Sequence, residues 1–175
     1  MKLLRNFFII FSLLPLYILA DEQTVHVLYI KSQEIKAEQK FHEKTNIAIA
    51  NDQNYIDAGE YYEIQPLLLK AIAQTESGQN PNALNCANKN GTCDYGIMQI
   101  NSVHLPVLKS QGITIEKLFD EKTNIRVGAQ VLKGCIKKFG FTYKTLNCYN
   151  GKINGNDYYS KVIRNYDRLA KAVQE

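Results

Sequence analysis

The sequence has no internal repeat, no low-complexity run and no stripe of arginine and lysine interleaved with aromatic residues. The first two absences leave out a solenoid array and a compositionally disordered chain. The third excludes a nucleic-acid surface. Metal ligands are sparse as well. None of the three histidines lies near either cysteine pair, and no ligand cluster offers a metal site. No cysteine follows the apolar N-terminal run, which argues against a lipid-modified N-terminus. That run is also too short, and too interrupted by Pro15, for the ~20 apolar residues a membrane span needs.

What is present suits one folded domain. Hydrophobic residues make up 45% and charged residues 22% of 175 residues, enough for a real core. Residues 1–20, "MKLLRNFFIIFSLLPLYILA", begin with Lys2 and Arg5 and stop at Ala20 before Asp21 and Glu22. Basic start, short apolar run and small residue at the cut are the order of a cleaved secretory signal; a membrane anchor is the alternative. Losing Lys2 and Arg5 lowers the formal charge from +4 to +2.

Cys86, Cys93, Cys135 and Cys148 allow three pairings. The local one, Cys86–Cys93 with Cys135–Cys148, closes two short loops, and an exported chain favours disulfides over zinc.

Residues 21–51 form a polar, mixed arm with one apolar run, "VHVLYI", of strand character. Helical signals dominate from Asp52 onward. "YIDAGEYYEI" is an amphipathic turn or helix. Pro66 stands at a first helical position, Leu68, Ala71, Ile72 and Thr75 recur at three- and four-residue spacing, and Gly78 is the stop. Residues 79–94 are rich in Asn, Gly and Pro and are expected as loop. Residues 123–140 give a second long helix with Ile125, Gly128, Ala129, Leu132 and Ile136 on one side, and "DYYSKVIRNYDRLAKAV" closes the chain as another. The expected fold is mainly α with at most a small β element.

Glu76 lies four residues after Ile72 and eight after Leu68, so the core-facing stripe delivers a carboxylate at its last turn. Apolar neighbours and the negative end of the helix dipole both disfavour the charged form. A carboxyl kept protonated near neutral pH suits a general acid for glycosidic cleavage. The plain alternative is a glutamate turned to solvent at a frayed helix end.

Its company favours the first reading. "ES" followed by "NPNA", then "YGIMQIN", "NIRVGAQVL", "CYNG" and "YYSKV" follow in order. This series resembles that of the lysozyme-like lytic transglycosylases, which cleave bacterial peptidoglycan. Loop composition and spacing look closest to the small, secretion-system-associated members. The resemblance covers residues 52–168 and implies a lysozyme-like catalytic domain over 52–175.

It further implies that Glu76 is the catalytic acid/base and Ser77 the small polar residue that follows it. Met98 and Gln99, beside Gly96, would line the sugar groove. The hydroxyl of Tyr149 would orient the acid, with Asn150 and Gly151 completing that motif. Asn85, where relatives often carry serine, could donate to a sugar acetamide. Thr123 stands where several relatives carry a cysteine, so Cys135–Cys148 would replace that tie. The implied mechanism uses one acid, no metal and no cofactor: it cuts between N-acetylmuramic acid and N-acetylglucosamine and leaves a 1,6-anhydro end. The implied location is the periplasm or outside the cell, with secretion or conjugation proteins as partners.

Two alternatives stay open. A hydrolytic lysozyme would need a second carboxylate, ~5–5.5 Å away if retaining and ~6.5–9.5 Å if inverting. Asp94 is the one candidate, although its place beside Gly91 also suits a turn or cap. A peptidoglycan-binding scaffold module of an envelope-spanning machine would instead use the 21–51 arm for docking.

Overall fold

The computed structural model describes residues 52–172. The expected signal segment, the arm and its strand lie outside the described residues.

Helix α1 (Gln53–Tyr62) turns at Glu63, in left-handed conformation, into α2 (Pro66–Ser77). Pro66 opens α2 and Gly78 ends it with φ 63°, as expected from the sequence. The buried surface of α2 is broader than the expected stripe. Leu67, Leu69, Ala71, Ile72 and Ala73 are all buried, while Leu68 is only half-buried. The cause is position: α2 packs on α1, α6 and α4 at once and is the central helix of the domain. No helix among the described residues is long and apolar enough to cross a membrane.

The stretch expected as loop contains the first of three two-residue strands, β1 (Leu84–Asn85), β2 (Asp94–Tyr95) and β3 (Ile100–Asn101). They pair antiparallel in the order β1-β2-β3. The register sets Asn85 opposite Asp94 and Asp94 opposite Asn101, so these three side chains form one cross-strand row. Both disulfides follow the local pairing, Cys86–Cys93 and Cys135–Cys148.

A short helix α3 (Leu105–Ser110) and a 3-10 turn (Glu116–Phe119) lead to α4 (Glu121–Phe139). Helix α4 starts two residues before the expected position because the Asp120 carboxylate caps it, accepting from the Thr123 amide at 2.9 Å. Its inner face buries Ile125, Gly128, Ala129 and Leu132. Helix α5 (Tyr143–Tyr149) is a seven-residue element that no periodicity announced, tied to α4 through Cys135–Cys148. Helix α6 (Tyr158–Ala172) lays Tyr158, Val162, Tyr166 and Leu169 on the core, with α2 as its main contact. The described domain is mainly helical with a small sheet.

Candidate active site

Glu76 occupies the last turn of the central helix and is half-buried there. Burial of its carboxyl is the largest influence and pushes the pKa from 4.5 up to about 7. A hydrogen bond from Tyr158 acts against this, and the negative charge of Asp94 reinforces it. The Tyr158 hydroxyl donates to Glu76 Oε1 at 2.6 Å, while Oε2 makes no hydrogen bond among the described residues. Burial and the neighbouring Glu76 charge push the Tyr158 phenol well above its ordinary range, so it remains a donor. The site therefore holds a carboxyl poised near neutrality, with one oxygen fixed and the other without a hydrogen bond among the described residues.

Tyr158 is the residue that the sequence reading missed. It heads the core stripe of α6, and a buried phenol leading such a stripe needs a partner for its hydroxyl. Tyr149, expected in that role, does something else. Its hydroxyl donates to the Met98 carbonyl at 2.8 Å, and its ring stacks on Tyr158 at 6.5 Å. The two tyrosines thus join the β2–β3 turn to the acid, with Tyr149 one step removed from it.

Asp94 is tied into the small sheet by side-chain amides. Its Oδ2 accepts from Asn88 at 2.7 Å and Asn85 at 3.2 Å, and its Oδ1 accepts from Asn101 at 2.6 Å. The Asn85 and Asn101 contacts follow from the strand register, and Asn88 adds one from the loop between β1 and β2.

The family model described as "Transglycosylase SLT domain" matches residues 53–173. The chain belongs to the transglycosylase SLT domain family. Invasion protein IagB of Salmonella typhi is 34% identical over 128 residues, spanning 69% of this chain and 79% of that protein. Protein IpgF of Shigella flexneri is 37% identical over 120 residues, spanning 65% and 78%. Lytic transglycosylase Slt of Pseudomonas aeruginosa, solved as an inactive Glu-to-Gln mutant, has the same fold at TM-score 0.50 and 19% identity. That likeness covers 72% of this chain and 22% of the other. The SLT domain here has a lysozyme-like fold, and the chain is a peptidoglycan lytic transglycosylase.

Within this SLT domain the other expected site residues fall into two groups. Met98 does not reach a groove: its side chain is fully buried, and a Cβ on Gly128 would stand 2.5 Å from its sulfur. The apolar turn is pressed onto α4 there, which removes Met98 from substrate. Ser77 spends its hydroxyl on the protein, donating to the Ile97 carbonyl at 2.7 Å and accepting from the Asn80 amide at 3.0 Å. It fastens the end of α2 to the β2–β3 turn. Gln99 and Asn150 are different. Gln99 donates through Nε2 to the carbonyls of Gly96 at 2.9 Å and Ala83 at 3.3 Å, while its Oε1 makes no hydrogen bond among the described residues. Asn150 is exposed, and Gly151 after it has φ 77°. Asn85 is exposed on β1 but already shared with Asp94.

Asn124, buried on α4, supports the SLT turn from beneath. It accepts from the Met98 amide at 2.8 Å and donates to the carbonyls of Leu118 at 2.6 Å and Tyr95 at 2.8 Å. Gly96 sits against it with φ 73°.

Tyr158→Phe keeps the ring on Tyr149 and removes only the hydroxyl. That hydroxyl favours ionised Glu76, so its loss raises the Glu76 pKa further. A hydrogen bond to a charged group is worth about 1.5–3 kcal/mol, which corresponds to about one pKa unit or more. The alkaline fall in kcat/KM, expected at about 7 in the native enzyme, should move up by that amount. A pH–rate profile checks it, and an unchanged or lowered midpoint would rule out this role.

Proposed function

We propose that Glu76 alone performs the acid and base steps of a non-hydrolytic cut between N-acetylmuramic acid and N-acetylglucosamine. Protonated Glu76 gives its proton to the bridging glycosidic oxygen as the bond to the anomeric carbon breaks. The acetamide of the muramic acid stabilises the oxocarbenium-like centre. Glu76, now ionised, takes the proton from the 6-hydroxyl of the same sugar, and that oxygen closes on the anomeric carbon. The product is a 1,6-anhydro end, and no water is consumed. Ring closure is intramolecular, so positioning supplies much of the rate. A pKa near the working pH suits a group that must serve both ways.

The observation that carries this reading is the buried Glu76 carboxyl, raised to about 7 with one oxygen held by Tyr158. Gln99 and Asn150 are the proposed sugar contacts, with Asn85 beside them. A relative named an invasion protein supports a role in opening the wall for a secretion or conjugation apparatus. Export to the periplasm, implied by the N-terminal signal pattern, agrees with that role.

Digestion of purified peptidoglycan followed by mass analysis tests the chemistry. Products lighter by one water than hydrolysed muropeptides are expected. Products carrying the added water would assign the protein to the hydrolytic lysozymes.

A further inference from the structure

Helix α4 turns a cationic row away from the core. Lys122, Arg126, Gln130, Lys133 and Lys137 recur at three- and four-residue spacing and so share one face. Helix α1 lies alongside and contributes Tyr61, two-thirds exposed at 67%. Two hollows adjoin at this tyrosine. One of about 440 Å³ is walled by Tyr61, Tyr62, Glu63, Gln130, Lys133 and Lys137, with Gly134 leaving its floor open. The other, about 220 Å³, lies between Tyr61, Asp57, Lys122 and Arg126. Arg126 stands 4.7 Å over the Tyr61 ring, and Tyr62 meets Tyr61 edge-on at 4.8 Å. None of these residues belongs to the surroundings of Glu76.

We propose that this α1–α4 groove binds the acidic peptide stems of peptidoglycan. The assignment rests on the substrate class given above. Charge favours a carboxylate-bearing ligand, because cations outnumber acids in both hollows: Lys133 and Lys137 against Glu63, and Lys122 and Arg126 against Asp57. Lys133 pairs with Glu63 and Lys122 with Asp57, but these acids are 83% and 42% exposed, and such pairs exchange readily for a ligand carboxylate. Lys137 makes no ion pair among the described residues. Size favours a short peptide over a folded partner. The larger hollow, about 440 Å³, falls at the small end of ligand sites, about 300–1,000 Å³, and the smaller, about 220 Å³, lies below that range. A stable protein interface buries about 800 Å² on each side. Tyr61 between the hollows offers a flat apolar surface for the stem backbone. Holding a stem on this face while Glu76 works on a glycan strand would tether the enzyme to its polymer, since two linked contacts bind far better than one.

The test uses the full chain carrying Glu76→Gln, so that binding is measured without digestion. Its affinity for soluble glycan strands freed by an endopeptidase, which keep their stems, is compared with that for the same strands after an amidase has stripped the stems. Stem-bearing strands should bind at least about tenfold more tightly, and added salt should erode the difference. Adding Lys133→Glu and Lys137→Glu should bring the ratio close to one. Tyr61→Ala should lower it with all charges kept, and it decides the matter if the double reversal fails to fold by circular dichroism. A ratio near one with the groove intact, or a ratio indifferent to these substitutions, overturns the proposal. The functional reading fails separately: active enzyme would then release no anhydro product from either substrate, while the binding ratio still decides the groove.

Discussion

Glu76→Gln should cut the release of anhydro products from peptidoglycan by roughly 10²–10⁴-fold, the range that general acid–base catalysis supplies. The upper part is expected because the proposed mechanism gives one carboxyl both proton transfers. Glutamine keeps the shape and can still accept from Tyr158, so the loss reports proton chemistry rather than collapse. The same substitution should stabilise the fold at neutral pH. Burial raises Glu76 from 4.5 to about 7, so the folded state binds a proton that the unfolded state has released across that window. The stability tied to this proton is complete below 4.5 and is lost as pH rises through about 7. The loss amounts to roughly 3 kcal/mol at about 1.4 kcal/mol per unit. A neutral glutamine escapes it. Thermal unfolding should therefore place the variant above the native protein at pH above 7, with the gap closing towards 4.5. A fall in stability at neutral pH would contradict the burial on which the acid depends.

The second large effect is structural. Gly96→Ala should destabilise the domain by about 3–5 kcal/mol, a size reserved for core clashes and broken buried networks. Its φ of 73° is costly for alanine by about 1–3 kcal/mol. The new Cβ would also stand 2.2 Å from the Leu118 carbonyl and 2.3 Å from Asn124 Nδ2. Neither neighbour can yield cheaply. One is backbone, and moving the other breaks hydrogen bonds to Met98, Tyr95 and Leu118, each orphaned group costing about 1–3 kcal/mol. The melting temperature should fall by about 10 °C or more. Gly91→Ala separates the two causes, because Gly91 has φ 72° but nothing within 4 Å. It should lose only about 1 kcal/mol. Equal losses at both positions would show that the close approach of Gly96 to α4 does not matter.

These two residues also mark where the sequence was informative. Glu76 was legible because Leu68 and Ile72 precede it on the same face, with Pro66 and Gly78 fixing the ends of the helix. Gly96 was legible only as part of the "YGIMQIN" motif. Less was visible wherever the answer depended on which of two similar side chains meets a distant partner. Tyr149 and Tyr158 stack on each other, yet only Tyr158, 82 residues from Glu76, touches the acid. No local pattern distinguishes them. Met98 shares a motif with Gln99 but points into the core, because Gly128 on α4 leaves room for it. Two of the three contacts to Asp94 come from strand register across β1, β2 and β3, and two-residue strands carry no alternation to read. Helix α5 escaped for a similar reason, being only seven residues long.

The most direct test of a buried, proton-holding Glu76 is the pH dependence of kcat/KM for anhydro-product release. A fall towards high pH with its midpoint at about 7 is the expected result, because only the protonated carboxyl can start the cut. A midpoint near 4.5, the value of a carboxylate in water, would contradict it, as would a profile flat through neutrality.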